Sequence, residues 1–470
     1  MTTTSVRPRR RRTLLVLLGL LVAVPAAFVG TAVVRHHLAA RRLAAVVAEL
    51  DRTDPNWRLD DLERARAAVP DGENFALALD AAFVKLARPG QPMQSFSADD
   101  MHPTPNVRLT PEHETAARAR LATYSDGLPA VLALADYPRG RHAVAYTADV
   151  VSTPLSHIGT MAHVNARSLD PAALLAVHDG DVPRALRLFR VRLNFARSLR
   201  DEPIFVTQGF RANYQVRAIR GLMALLGHAT PTADQLAEAR RELEIEAADD
   251  PWPAAARGVR AMDDRVMDAV RTGAVKPSYL KAMSIRSYRP TAQERVADWV
   301  NDRTGLDVLP AHTFLLELLP RGGATVKIPW PVRVAAVDAL DAEWRTGPEL
   351  AQWLATIDLA KRCRGMMAGQ AMVRTGVAAV AVEEFRVRTG DWPKSLAALG
   401  IALPDDPYTG KPLLLKWLAD GVAVYSVGPN GRDDGGTLMD YYPQRPEDYD
   451  IGVRLWDVPH RNQPPSESAP

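Results

Sequence analysis

The sequence predicts a mainly α-helical protein with three parts: an N-terminal transmembrane helix, a long α-helical, repeat-like body, and a small C-terminal α+β module with a β-hairpin. Three observations predict this arrangement: an uncharged apolar run near the N-terminus, a long region rich in helix-forming residues, and dense turn signals after Gly390. The chain has 470 residues, of which 47% are hydrophobic and 24% charged. This composition is typical of folded proteins and excludes a wholly disordered chain.

The transmembrane helix is predicted over residues 13–34, which contain no charge. At about 1.5 Å per residue, a helix of this length reaches roughly 33 Å and can cross the hydrocarbon core of a bilayer. A cleaved signal peptide is the alternative, although the apolar region of a signal peptide is usually shorter.

The basic residues on either side of this run predict its orientation. Five arginines lie in residues 1–12, and Arg35, Arg41 and Arg42 follow the run. Because cytoplasmic flanks carry the excess of cations, residues 1–12 are predicted to be a basic cytoplasmic tail. The protein is therefore expected in the inner (cytoplasmic) membrane, single-pass, with the bulk of the chain extracytoplasmic.

Charge and cysteine content exclude several classes of protein. The net charge is +3, and the five arginines of the first twelve residues leave −2 for the rest of the chain. Such a chain has no basic surface for nucleic acid, so no nucleic-acid partner is expected. The single cysteine, Cys363, excludes an internal disulfide and multi-cysteine metal centres. It is expected to be a buried structural residue.

Residues 38–366 are predicted to form an α-helical domain. Within residues 170–203, Asp170 is expected to cap one helix, and Val182 is expected to begin a second helix after a turn. The apolar spacing of the second helix is typical of an amphipathic helix. This pair resembles a tetratricopeptide-type hairpin, although no further copies recur at a fixed period. The resemblance lies in Gly180, Asp181, Ala185, Leu186 and Phe189.

Three other segments complete the prediction for the body. Residues 88–111 are rich in proline and are predicted to form a loop or an extended crossing. Residues 320–331 are predicted to be a break between helices. Residues 347–390 are predicted to form one or two long helices. Their apolar stretch 368–382 contains Arg374 and is interpreted as a buried helix of a soluble domain, so that no second membrane span is expected.

The C-terminal module is predicted over residues 367–458. Residues 413–418 and 422–427 are candidate strands, and the Asp-Gly pair between them indicates a hairpin. The remaining residues, 459–470, are polar and rich in proline, and are predicted to be a disordered tail.

The ordered turns of this module resemble the periplasmic domain of type II secretion major pseudopilins. In that family a long helix is followed by a Gly-x-Trp/Tyr-Pro turn, an Asp-Pro-x-x-Gly-x-Pro turn, strands and a glycine-rich loop. The matching residues here are Gly390-Asp391-Trp392-Pro393, Asp406-Pro407-Tyr408-Thr409-Gly410-Lys411-Pro412, Tyr425-Ser426-Val427-Gly428-Pro429-Asn430-Gly431 and Asp450-Ile451-Gly452. The whole chain looks like a bacterial membrane-anchored protein that carries this module behind a helical region.

The resemblance implies a calcium site in the glycine-rich loop. By position, Asn430 corresponds to the family's loop aspartate and Asp450 to its later aspartate, and Asp433 and Asp434 add nearby carboxylates. Ca²⁺ accepts flexible, oxygen-rich coordination. The alternative is a solvated loop in which Asn, Asp and Gly satisfy only the geometry of the turns. No other cofactor is expected.

No sequence motif assigns a catalytic residue. The phosphate-binding, dinucleotide-binding, zinc-protease and serine-hydrolase motifs do not occur. The leading hypothesis is therefore a membrane-anchored scaffold or binding protein of the cell envelope with a protein partner. One alternative is an envelope hydrolase whose acidic residues meet in a groove of the helical body. Another is a component associated with a type II secretion or pilus-like system.

Overall fold

A computed structural model describes residues 8–87, 104–284, 288–305, 307–354, 359–438 and 449–465. In this part of the chain the protein is mainly helical, with a small antiparallel sheet near the C-terminus, as predicted. The helices are α1 (Pro8–Thr53), α2 (Leu59–Ala65), α3 (Phe75–Leu86), α4 (Pro111–Thr123), α5 (Leu128–Ala133), α6 (Ser156–Val164), α7 (Asp170–His178), α8 (Val182–Ser198), α9 (Phe205–His228), α10 (Ala233–Ala247), α11 (Trp252–Arg271), α12 (Pro277–Ser284), α13 (Ala292–Thr304), α14 (Val308–Ala324), α15 (Trp330–Trp344), α16 (Glu349–Leu354) and α17 (Leu359–Thr389). The strands are β1 (Leu414–Leu418), β2 (Gly421–Ser426) and β3 (Ile451–Trp456).

Helix α17 holds the two main parts of the core together. Its C-terminal half packs with α9, α10 and the sheet, and its N-terminal half packs with α15 and belongs to the same apolar cluster as α11, α14 and α16. Its stretch 368–382 is apolar on nearly every side, which suits a fully surrounded helix. Within the described part of the chain, one helical stretch, which contains α17, is long and apolar enough to cross a membrane, but 78% of its apolar window is buried inside the protein. The prediction of a buried core helix is confirmed.

Helix α1 joins the body through its C-terminal part. Leu43 and Leu50 pack against Leu309 and Leu316 of α14. Arg42 adds a two-point ion pair with Glu317 of α14, with N–O distances of 3.0 and 2.8 Å. The same helix extends without a break back to Pro8 and so carries the apolar run 13–34.

The helical hairpin predicted in residues 170–203 is confirmed, but its capping residue is not. Gly180 takes a φ of +69° in the turn, and Asp181 caps α8 by accepting a hydrogen bond from the N–H of Arg184. Asp170, in contrast, does not cap α7. A π-helical segment, Asn165–Leu169, joins α6 to α7 without a break, so Asp170 lies inside a continuous helix and accepts a hydrogen bond from Arg192 at 2.8 Å.

The break predicted over residues 320–331 is shorter than expected. Helix α14 continues through Pro320 as far as Ala324, and only residues 325–329 separate it from α15. A proline inside a helix costs about 3 kcal/mol. Burial of Leu315, Leu316 and Leu319 in the cores is the interaction that opposes this cost.

The sheet is an antiparallel meander in the order β1–β2–β3. The predicted hairpin is confirmed, with Leu414 opposite Tyr425 and Leu418 opposite Gly421. Strand β3 was not predicted, and it pairs with β2 from Ile451 opposite Ser426 to Trp456 opposite Gly421. Its buried residues face α17 and α9, so the sheet belongs to the core of the body.

Two predicted irregular segments are partly described. Of residues 88–111, only 104–111 are described; there Val107 forms a bridge with Gln463, and Thr110 caps α4. Of the tail 459–470, residues 459–465 are described, and they are ordered by hydrogen bonds. The N–H of Asn462 donates to the carbonyl of Gly227 at 2.9 Å, and the N–H of Gln463 to the carbonyl of Asn106 at 2.8 Å.

Candidate functional site

A cleft of about 1000 Å³ lies between α9, α17 and the strands β2 and β3. Thr104 and Pro105 lie at its edge, before α4 begins. We call this space the interhelical cleft. Its volume is at the upper end of the range usual for ligand-binding pockets, about 300–1000 Å³.

Small residues set the separation of the two helices that form one side of the cleft. A Cβ atom placed on Gly369 would lie 3.1 Å from the Cβ of Ala212, and one placed on Gly376 would lie 3.3 Å from Cγ2 of Ile219. The two pairs advance in the same direction along both helices, so α9 and α17 run parallel. This close contact holds in place the residues of α9 and α17 that line the cleft next to it.

Basic residues are the charged groups of the interhelical cleft. They are Arg217 and Arg220 on α9, Lys361 and Arg362 on α17, and Arg454 on β3. None of the described residues that line the cleft carries a carboxylate, an imidazole or a thiol. The charged side chains of the described lining are therefore all cationic, and at least two of them are paired with carboxylates that lie outside the lining.

Some of these cations are held in place by neighbouring groups. The Nε of Arg217 donates to Oδ1 of Asn213 at 3.1 Å, and its Nη1 lies 3.6 Å from Oδ2 of Asp170. Arg454 forms an ion pair with Asp420, and its guanidinium carbon lies 5.6 Å from the centre of the Trp456 ring. These contacts hold the side chains of Arg217 and Arg454 in defined orientations.

The other lining residues are mainly apolar. Met223, Met366 and Met372 come from the helices, and Ile451 and Val453 come from β3. Methionine is flexible and polarizable, and such side chains adapt to apolar ligands of different shapes. The cleft therefore presents cationic and apolar side chains side by side.

No sequence pattern predicts this cleft. Its residues come from four separate parts of the chain, and each is unremarkable within its own segment. The signal that was available is the spacing of Asn213, Arg217 and Arg220, which places them on one side of α9. An even distribution of arginine along the chain hides that signal.

The four residues of the predicted calcium loop do come together. The amide Nδ2 of Asn430 donates to Oδ2 of Asp434 at 2.7 Å. Asp450 accepts the N–H of Gly436 at 2.7 Å and that of Asp434 at 3.3 Å. Asp433 accepts the hydroxyl of Tyr425 at 3.1 Å.

The negative charges of this loop favour a cation, whereas its hydrogen bonds already occupy carboxylate oxygens that would bind one. Burial raises the pKa of Asp450, and the negative charges of Asp433 and Asp434 raise it further. Its oxygens, however, already accept backbone N–H groups. Within the described ranges, no group of three or more His, Cys, Asp or Glu is arranged to hold a metal ion. Calcium therefore stays a prediction.

A second polar cluster is buried between α6, α8 and the segment before α6. Nε2 of His142 lies 3.1 Å from Oγ of Ser198, and its ring stacks on that of His157 at 4.6 Å. Nε2 of His157 lies 3.2 Å from a carboxylate oxygen of Glu202, which is fully buried. Arg66 donates to the carbonyl oxygen of His142 at 3.0 Å.

This cluster has the residue types of a serine hydrolase but the wrong proton arrangement. The hydroxyl of Ser198 donates to the carbonyl of Phe195 at 2.8 Å, and in this arrangement Nε2–H of His142 donates to Oγ. A general base needs the opposite tautomer. Burial, with the positive charges of His157 and Arg66, lowers the pKa of His142 to about 3. His142 is therefore held neutral and acts as a structural hydrogen-bond donor within this cluster.

Cys363 is buried, as predicted. Burial raises the pKa of its thiol to about 12, and the thiolate is the reactive form. Cys363 therefore contributes to the packing of α17 in the second core cluster.

Comparison with known proteins gives no relative from which a role could be transferred. No protein-family model, no curated protein and no solved structure matches this chain.

Proposed function

We propose that this protein is a membrane-anchored binding protein of the cell envelope, with the bulk of the chain extracytoplasmic. The observation that carries the proposal is the contrast between the two parts of α1. Its C-terminal part packs on α14, whereas Leu21, Val24 and Val29 of its N-terminal part are 58–70% exposed. A row of exposed apolar residues on a helix needs an apolar environment, and a bilayer supplies one.

Binding is favoured over turnover by the lining of the interhelical cleft. A hydrolase of the kind considered from the sequence needs carboxylates that meet in a groove. The described lining offers cations and apolar groups instead. The proposed work of the protein is therefore to hold a ligand or partner near the membrane.

Substituting the exposed apolar residues tests the anchor. An arginine at the centre of a membrane helix costs about 2.5–3.5 kcal/mol in insertion, so a variant with Leu21→Arg, Val24→Arg and Val29→Arg should not insert. We expect the wild-type protein to resist carbonate extraction from membranes and the variant to appear in the soluble fraction.

The matched control carries Val84→Arg, Val296→Arg and Val332→Arg, three residues that are 57–70% exposed elsewhere in the protein. It should stay in the membrane fraction. A C-terminal alkaline phosphatase fusion, active only outside the cytoplasm, tests the orientation. A wild-type protein that carbonate extracts, or a fusion that is inactive while a cytoplasmic reporter is active, would refute the proposal.

A further inference from the structure

We propose that helix α13 lies on an anionic lipid surface beside the anchor, with Val296, Trp299 and Val300 at the boundary between headgroups and acyl chains. The inference rests on the proposed membrane location of the protein, and the anchor and α13 are tested at separate positions of the chain.

The two faces of α13 are inverted relative to an ordinary surface helix, which turns its apolar residues towards the core. All 13 residues of α13 are described, and the buried one among them is Asp298. Val296, Trp299 and Val300 are instead 38–64% exposed. Residues three and four positions apart share one face of a helix. The apolar face of α13 therefore points away from the protein.

The acidic face of α13 is bound to the body. The carboxylate of Asp298 lies 3.3 Å from Nζ of Lys281 and accepts the hydroxyl of Tyr288 at 2.7 Å. Asp302 accepts the N–H and the hydroxyl of Ser278 at 2.9 and 2.7 Å. The helix cannot turn its apolar face towards the core without breaking these contacts.

The charges on the outer face favour an anionic surface. Arg295 and Arg303 are exposed, and each lies four residues from Trp299, so the three share a face. The guanidinium carbon of Arg303 lies 4.4 Å from the centre of the Trp299 ring, and Arg295 donates to a backbone carbonyl, which leaves its charge in place. The remaining acid of α13, Glu294, forms the N-terminal capping box. Tryptophan concentrates at the headgroup level of a bilayer, where arginine contacts anionic lipids.

A second copy of the chain fits the outer face less well. A symmetric dimer places the same patch against itself, which would bring Arg295 and Arg303 of both copies together. Like charges that meet in an interface oppose association. An anionic bilayer covers the apolar residues and compensates the arginines at once.

The place of α13 in the fold is consistent with a contact beside the anchor. Helix α13 leads directly into α14, where Leu309 packs with Leu43 of α1. The five residues from Thr304 to Leu309 span at most about 17 Å. Val34, at the end of the apolar run, precedes Leu43 by about 14 Å along α1. The helix that packs on the anchor is therefore the one to which α13 is joined.

Fluorescence quenching by lipids that carry a nitroxide near the headgroup tests the proposal. The full-length protein is reconstituted into nanodiscs of phosphatidylglycerol and phosphatidylcholine in equal amounts, or of phosphatidylcholine alone. A fluorophore is attached to Val33→Cys, Val296→Cys or Val84→Cys, three positions that are 62–70% exposed. The native Cys363 is buried and is not labelled. We expect quenching at residues 33 and 296 but not at residue 84 on α3, and stronger quenching at residue 296 when phosphatidylglycerol is present.

Variants that carry the label at residue 296 identify the contacts. Trp299→Ser removes the aromatic ring, and Trp417→Ser, at a tryptophan that is 52% exposed on β1, is the matched control. Arg295→Gln with Arg303→Gln removes the two charges and should lower the docking equilibrium constant on phosphatidylglycerol about thirtyfold. We expect less quenching for Trp299→Ser and for the double variant, and no change for Trp417→Ser.

An unquenched label at residue 296 overturns the inference, and a quenched label at residue 33 in the same nanodiscs leaves the proposed membrane location intact. An unquenched label at residue 33 contradicts the proposed function instead. Full quenching in both Trp299→Ser and the double variant, with circular dichroism showing both to be folded, also overturns the inference. Blue-shifted emission in detergent that is lost on dilution, without quenching by lipid, would identify a second copy of the chain as the occupant.

Discussion

Asp406 shows how one buried carboxylate fixes the start of the C-terminal module. It accepts hydrogen bonds from the hydroxyl of Ser426 at 2.7 Å, the N–H of Tyr408 at 2.8 Å and the N–H of Val427 at 3.1 Å. These bonds tie the turn at residues 406–410 to the end of β2. The Asp-Pro-x-x-Gly turn found in the sequence is therefore a structural device.

Asp406→Ala leaves three donors without this acceptor, two of them backbone groups, and we expect it to lower the free energy of unfolding by about 3 kcal/mol. The matched control is Asp405→Ala, at the exposed neighbouring position, with an expected change below about 0.5 kcal/mol. Urea denaturation of the full-length protein in detergent measures both. Equal effects of the two substitutions would contradict this role.

His142 makes the stability of the protein depend on pH. Its pKa is about 3 in the folded state because of burial, His157 and Arg66, against about 6.5 in an unfolded chain. The unfolded state therefore binds a proton first as the pH falls, and stability decreases between pH 6.5 and pH 3. The slope is about 1.4 kcal/mol per pH unit in that window.

His142→Gln should remove this part of the pH dependence. Between pH 7 and pH 5, the wild-type protein should lose about 2 kcal/mol more stability than the variant. His460→Gln, at an exposed position, serves as the control and should keep the wild-type slope. Parallel curves for wild type and His142→Gln would show that His142 is not held neutral.

Calcium titration distinguishes the two interpretations of the loop around Asp450. If Ca²⁺ binds there, its charge relieves the repulsion between Asp433, Asp434 and Asp450, and millimolar calcium raises the unfolding temperature. Asp433→Asn with Asp434→Asn should then abolish the rise. An unchanged temperature for the wild-type protein leaves the loop as a hydrogen-bonded turn.

At the scale of elements, Arg461 joins β3, α17 and α9. It donates to the carboxylate of Glu383 at 2.9 Å, to the carbonyl of Trp456 at 2.9 Å and to the carbonyl of Ala229 at 3.0 Å. Both charged side chains are almost fully buried. This contact orders a segment that composition alone assigns to a disordered tail.

Arg461→Ala removes one of the two guanidinium partners of the buried Glu383, because Arg386 remains 2.7 Å away, and it leaves two backbone carbonyls without this donor. It should therefore lower the free energy of unfolding by about 2–3 kcal/mol. The exposed Arg388, which lies 2.6 Å from the buried Glu384 on α17, provides the control, because Glu384 keeps its ion pair with Arg240 when Arg388 is removed. Arg388→Ala should cost less than about 1 kcal/mol. A small effect of Arg461→Ala would mean that the segment after β3 contributes little to stability.

The elements that the sequence predicts are those whose signals are local. Strands β1 and β2 are adjacent and joined by an Asp-Gly turn, so local signals suffice for them. Strand β3 pairs with β2 only after a long intervening segment, and its strand identity depends on that distant pairing. The burial of Asp170 likewise depends on Arg192 in the next helix. The interhelical cleft depends on the packing of α9, α17 and the sheet, which no local pattern encodes.

At the scale of the whole molecule, the described C-terminal sheet and the helical body share one core. Val422, Val424 and Leu455 of the sheet belong to the same cluster as Leu222 of α9 and Val377 of α17. The boundary predicted between residues 366 and 367 falls inside α17. The interhelical cleft follows from this shared packing, because one of its walls comes from the body and the other from the sheet.

Helix α1 divides into a part that the body needs and a part that it does not. Of the side chains described before residue 35, Leu21, Val24, Val29, Val33 and Val34 are exposed, whereas Leu43 and Leu50 cover Leu309 and Leu316. A chain that begins at residue 36 should therefore be soluble without detergent and unfold cooperatively. A chain that begins at residue 54 should expose the α14 surface and lose about 3–5 kcal/mol or aggregate, since two buried leucines are removed. Thermal unfolding and size-exclusion chromatography compare the two. If both truncated chains behave alike, the packing of α1 on α14 is not part of the stable body, and the anchor is joined to it only through the chain.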